Sequence, residues 1–125
     1  MPLGTRRLRI VGALVVILAC IALYRVSLRT RFDPHVWQDS NLVYQKPYPR
    51  LRMADDLLRH KVLAGLAEDS VVALLGPRPE TEYFVDWDYV YWLGPERSFM
   101  GIDSEWLVIR LGADGRVYET KIVTD

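Results

Sequence analysis

Residues 10–24, from Ile10 to Tyr24, carry no charged side chain, and Arg9 and Arg25 close the two ends of this run. As a helix the run rises only about 22 Å, short of the ~30 Å hydrocarbon core of a bilayer. Leu8, Val26 and Leu28 lengthen the apolar stretch once the flanking arginines reach back to the headgroups, and Tyr24 suits the interface. The run is apolar on every face, so it has no side to offer to water. A chain of 125 residues is too short to surround such a helix with protein. The expectation is a single membrane-spanning helix, bounded by Ile10 and Tyr24 and in contact with lipid.

A cleaved signal peptide is the rival reading, because a basic stretch precedes an apolar run of suitable length and Ala19 is small. Ile17-Leu18-Ala19-Cys20 also looks like a degraded lipoprotein signal. Leu18 is bulky where that pattern wants a small residue, however, and residues 21–23 continue the apolar run past the supposed cut. Both features favour an uncleaved anchor, with Cys20 a helix residue rather than a lipid site. Cys20 is the only cysteine, which excludes an intramolecular disulfide and a thiolate metal cluster.

Charge is zero overall but unevenly placed. Residues 1–32 hold Arg6, Arg7, Arg9, Arg25, Arg29 and Arg31 and no acid, which leaves all 16 Asp and Glu to the remainder. An acidic head argues against nucleic acid as a partner, since phosphate binding needs clustered cations on the folded domain. The basic residues fit lipid headgroups instead. Three arginines lie on each side of the apolar run, so only the N-terminal amine tips the positive-inside count. The expected placement is single-pass in the inner (cytoplasmic) membrane, with the head periplasmic or otherwise extracytoplasmic; the alternative, which the balanced arginines permit, is an anchored domain facing the cytoplasm.

The organisation that follows is a basic N-terminus and anchor over 1–31, a Pro-containing stalk over 32–50, and one domain over 51–125. Pro34, Pro47 and Pro49 make the stalk read as extended, with Trp37, Val43 and Tyr44 able to pack back on the domain. Residues 51–63 show a helical stripe of Ala54, Leu57, Leu58 and Val62, closed by Gly65. A second helix is expected over 68–75, with acids in its first turn and Gly76-Pro77 as its stop. Residues 87–93, 105–111 and 117–123 read as strands, the last two joined through Asp114-Gly115 as a hairpin turn. Helices followed by consecutive strands give an α+β layer pair, with two helices on one face of a roughly three-stranded antiparallel sheet.

Period-two alternation puts Trp87, Tyr89, Tyr91 and Leu93 on one side of the first strand and Asp88, Val90 and Trp92 on the other. On the second strand Leu107, Ile109 and Leu111 oppose Trp106, Val108 and Arg110. If the first set faces the helices, then Trp92, Trp106, Val90 and Val108 form an apolar outer face, a candidate partner-binding surface. The alternative is that the Pro-rich stalk covers it.

Leu63-Ala64-Gly65, then residues 68–71, then Leu74-Leu75-Gly76-Pro77 resemble the SmpA/OmlA family of small BamE-like envelope proteins, over about residues 51–123. More closely, Arg52-Met53-Ala54-Asp55-Asp56-Leu57-Leu58, Tyr91-Trp92-Leu93-Gly94 and Gly101-Ile102-Asp103-Ser104-Glu105-Trp106-Leu107 are similar to an uncharacterised group of short anchored bacterial proteins. The resemblance implies a BamE-like α+β fold and a scaffold or adaptor role in the envelope, with an envelope protein as partner and no active-site residues to carry over. Ala67 departs from the family, which usually places a Thr there to cap the second helix, a hydrogen bond typically worth ~1 kcal/mol.

Candidate chemistry is sparse. Asp55, Asp56 and His60 on one helix could begin a divalent metal site, and a small metal-dependent hydrolase is the alternative function this would support, yet a further ligand would have to come from elsewhere and nothing in the sequence marks it. Asp86 and Asp88 share one side of a strand edge, beside an expected exposed turn that would not raise either pKa. No phosphate loop follows the glycines, and no serine has a nucleophile setting. The expectation is therefore a non-enzymatic domain with no cofactor.

Overall fold

The computed structural model describes residues 3–27 and 30–125. Leu28 and Arg29 lie outside the described residues. The first element, α1 (Leu3–Ser27), spans the apolar run and continues through Arg25. Ile10 and Tyr24 are both exposed on it, as are the other large apolar residues between them. This helix is a candidate single-pass membrane anchor or signal sequence.

The head is α+β, as the sequence predicts. Two short helices, α2 (Pro34–Gln38) and α3 (Ser40–Val43), lead into α4 (Pro49–Arg59) and α5 (Glu68–Leu75). Three strands follow, β1 (Tyr89–Pro95), β2 (Ser104–Leu111) and β3 (Val117–Thr124), paired antiparallel in the order β1-β2-β3. One face of the sheet carries Tyr89, Tyr91, Leu93, Leu107 and Ile109 into a core shared with Leu51, Met53, Ala54 and Leu57 of α4 and with Val71 and Leu75 of α5. Each strand alternates sides, so these residues reach the helices together and their neighbours face the other way.

The stalk expected over 32–50 is instead part of the domain. Asp33 caps α2 by accepting from the amides of His35 and Val36, with Pro34 in the first turn, where its missing N–H costs nothing. Asp39 caps α3 in the same manner. Trp37 is completely buried and Val43 nearly so. Gln38 of α2 donates to the carbonyls of Ala73 and Leu74 at 3.1 and 3.0 Å, satisfying two of the orphan acceptors at the end of α5. The three prolines sit outside the helix interiors, so they shape this segment without extending it.

Several boundaries also differ from the sequence reading, two of them with consequences for packing. The helix expected over 51–63 ends earlier, at Arg59, because Lys61 takes a left-handed conformation and the Val62 amide reaches back to the Leu57 carbonyl. That closure turns the chain so that the amide of Gly65 meets the carbonyl of Val117 at the start of β3. The first strand begins at Tyr89 rather than residue 87. Trp87 therefore escapes the strand's alternation, and its ring lies 4.1 Å from the Arg110 guanidinium and 4.9 Å from the Lys121 ammonium. Both cations are on the outer face, so Trp87 is there too and not beside Tyr89. Ala67 precedes α5 with no side-chain cap, and Glu68 and Asp69 supply acid to that first turn.

Candidate functional site

The outer sheet face is where the aromatic residues collect. Val90 pairs with Val108, and Trp92 with Trp106, across β1 and β2. Val108 is fully buried and Val90, at 5% exposure, reaches the surface only at the base of the cleft, so neither projects from the face as the pattern alone suggests. They form a floor. Trp92 and Trp106 are half-buried and stand at its sides.

The expected cover by the 32–50 segment is partly realised, and a second, unexpected cover joins it. Tyr44, just after α3, stacks on Trp92 with ring centres 5.3 Å apart, and Tyr48 meets the same indole edge-on at 5.9 Å. The segment between α5 and β1 covers the other side, where Tyr83 stacks on Trp106 at 5.0 Å and Phe84 meets it edge-on at 6.1 Å. The Trp106 indole N–H donates to Asp125 at 3.0 Å, and the other oxygen of that carboxylate accepts from the Ser104 amide at 2.8 Å. Between the two aromatic walls a cleft of about 540 Å³ stays open, lined by Tyr44, Arg50, Tyr83, Trp92, Trp106 and Asp125.

Arg50 is the cation that lines the cleft, beside the acids Glu80 and Asp125. Its Nε donates to the Trp37 carbonyl at 2.8 Å and its Nη1 to the Trp92 carbonyl at 3.3 Å, while the guanidinium lies 4.8 Å from the Trp37 ring. The head therefore holds it by two backbone acceptors and an aromatic face, and no carboxylate among the described residues pairs with it. Burial lowers its pKa, against smaller opposing effects of Tyr44 and Tyr91. It remains a cation, since a guanidinium does not deprotonate in proteins. An apolar cleft with few polar groups converging on it is the usual form of a binding site. A second, smaller hollow of about 250 Å³ lies between α4 and β3, lined mainly by aliphatic residues such as Leu57, Leu58, Leu63 and Val117, and lacks this aromatic and polar convergence.

Of the residues considered for metal chemistry, Asp56 and His60 meet each other while Asp55 turns away to Arg97. Asp55 pairs with Arg97, which also holds Glu105 at 2.7 Å. Asp56, almost fully buried, accepts from the Phe32 amide at 2.8 Å and lies 3.0 Å from His60 Nδ1. Among the described residues no three His, Cys, Asp or Glu side chains converge on one point. Asp86 is exposed, while Asp88 accepts from the Leu111 amide at 2.7 Å and so serves the β1–β2 junction.

Sequence reasoning missed Tyr83, Phe84, Arg50 and Asp125. Tyr44 was legible as a residue able to pack back, but its target was not. The missed four share no periodicity with the sheet, and only long-range packing brings them beside Trp92 and Trp106. Comparison of the chain with families of known proteins, with curated proteins and with solved structures finds no match in any of the three.

Proposed function

We propose that this chain is a non-enzymatic interaction or scaffold domain, held outside the cytoplasm by a single-pass anchor in the inner membrane, with an envelope protein as its partner. The observation that carries the reading is the half-open cleft between Trp92 and Trp106. Tryptophan, tyrosine and arginine are the residue types most often found as energetic anchors of interfaces. Here all three line one concave surface. The SmpA/OmlA resemblance supports the same class of role, and envelope assembly is the process it suggests. A metal-dependent hydrolase is less well supported, because Asp55 and Asp56 are committed to Arg97 and to the Phe32 amide.

The test is photo-crosslinking from the cleft rim, with a crosslinking amino acid in place of Thr81 in the full chain in cell membranes. Envelope proteins are the expected products. Trp92→Ala or Trp106→Ala should reduce their capture about thirtyfold, the equivalent of ~2 kcal/mol for an anchor residue. Products confined to cytosolic proteins, or capture unchanged by both truncations, would sink the proposal. A reporter fused after Asp125 reads the orientation independently.

A further inference from the structure

The hairpin between β1 and β2 ends in an apolar tip that the head does not cover. Phe99 is 101% exposed, Met100 68% and Ile102 74%. Single exposed apolar residues are ordinary, but three within four positions on one turn make a contiguous patch. The charges lie at the neck of the loop instead. The Glu96 amide donates to the Asp103 carbonyl at 2.8 Å and closes it, and Arg97 beside them is tied to Asp55 and Glu105. Ser98 and Gly101 are the other tip residues, so no charged side chain lies between Arg97 and Asp103.

The position of this loop relative to the anchor decides what it meets. Arg97 fastens the neck to Asp55 of α4 and also donates to the Leu51 carbonyl at 3.4 Å. The next residue of the same helix, Asp56, accepts from the amide of Phe32, where the chain arriving from α1 joins the head. The side chain that fastens the loop neck and the backbone that arrives from α1 are thus held by adjacent residues of one helix. From Ser27 at the end of α1 to Phe32 the chain can reach at most about 18 Å. If α1 is an anchor, a tip so tethered is within reach of the lipid surface.

We infer that Phe99, Met100 and Ile102 form a second membrane contact, dipping into the headgroup region of the bilayer that holds α1. The inference rests on reading α1 as an anchor rather than a cleaved signal. Glu96, Arg97 and Asp103 at the neck limit insertion to the tip, because charges do not follow apolar side chains into the acyl region. The loop then fixes the head against the membrane at two points, which restrains the direction in which the cleft opens.

The experiment uses the full chain in vesicles of phosphatidylcholine and phosphatidylglycerol, with Cys20→Ser and one new cysteine carrying an environment-sensitive fluorophore. The new cysteine replaces Phe99, Ile102, Ala113 or Val16. Ala113 lies in the β2–β3 turn, about 24 Å away along β2, and Val16 lies mid-anchor. Quenching by spin-labelled phosphatidylcholine is expected at 16, 99 and 102 and not at 113. Phe99→Asp should abolish the quenching at 102 without lowering the melting temperature of the head, since Phe99 contributes nothing to its core. Quenching at 16 alone overturns the inference and leaves the anchor standing. Loss of quenching at 16 as well shows that the anchored reading has failed. A tip that becomes shielded only when envelope proteins are added is a protein contact and also overturns it.

Discussion

Truncating Trp37 tests whether the segment before α4 belongs to the core. The side chain is fully buried, meets Phe32 and Tyr91 edge-to-face at 5.8 and 6.0 Å, and lies under the Arg50 guanidinium. Replacing a buried tryptophan by alanine costs about 3–5 kcal/mol, and the two aromatic contacts place this site toward the upper end. The head as a whole should be stable by about 5–14 kcal/mol, so the loss is a large fraction of it. Trp37→Phe behaves differently for a specific reason. The buried indole Nε1–H has no hydrogen-bond partner among the described residues, a penalty of about 1–3 kcal/mol that phenylalanine removes. That relief offsets much of the lost packing, and Trp37→Phe should cost about 1 kcal/mol or less. Urea unfolding of the full chain in nanodiscs, followed by near-ultraviolet circular dichroism, measures both. A midpoint about 2 M lower for Trp37→Ala, with the slope unchanged, is expected. A cost for alanine below about 1.5 kcal/mol would show that this segment does not hold the core. Equal costs for the two variants would refute the account of the buried N–H.

Three further outcomes follow from local geometry. Gly94→Ala places a Cβ 2.9 Å from Leu51 Cδ1 and 3.1 Å from Tyr48 Cβ, at a φ of +155°, so the urea midpoint should fall by the equivalent of about 1–3 kcal/mol. The Tyr89 hydroxyl donates to Glu68 at 2.8 Å, and burial followed by that carboxylate pushes its pKa up to about 12. The unfolded chain therefore loses this proton first, near pH ~10, and stability should decline between about pH 10 and 12, with a shallower decline in Tyr89→Phe. Arg97→Gln removes the clamp between the hairpin neck, Asp55 and Glu105, a partly exposed set of ion pairs worth about 1 kcal/mol or less. Amide exchange at Glu96 should then quicken with little change in global stability, and high salt should mimic the effect in the parent chain.

The sequence by itself determined the elements whose causes are local. The apolar run around Ile10 to Tyr24 forms a helix whose large apolar side chains are exposed, because the run is apolar on every face and has no polar side to set against them. Residues 68–75 form α5 with the bounds expected, because Gly76 and Pro77 act on their own backbone and need no distant partner. Alternation along β1 and β2 sorted Tyr91, Leu107 and Ile109 from Trp92, Val108 and Trp106 correctly, since side-chain direction in a strand is set by the pleat. Only tertiary structure decided the rest. Prolines in residues 34–49 forbid few conformations outside a helix interior, and it is the cavity for Trp37 and the open carbonyls of α5 that select the folded one. The end of α4 depends on Lys61 accepting a left-handed turn so that Gly65 can reach Val117. The cleft had no local signature, because Tyr44, Arg50, Tyr83 and Asp125 come from four separate segments. Hydrogen bonds and ring contacts across many residues of intervening chain bring them together, and a one-dimensional pattern carries no record of such distances.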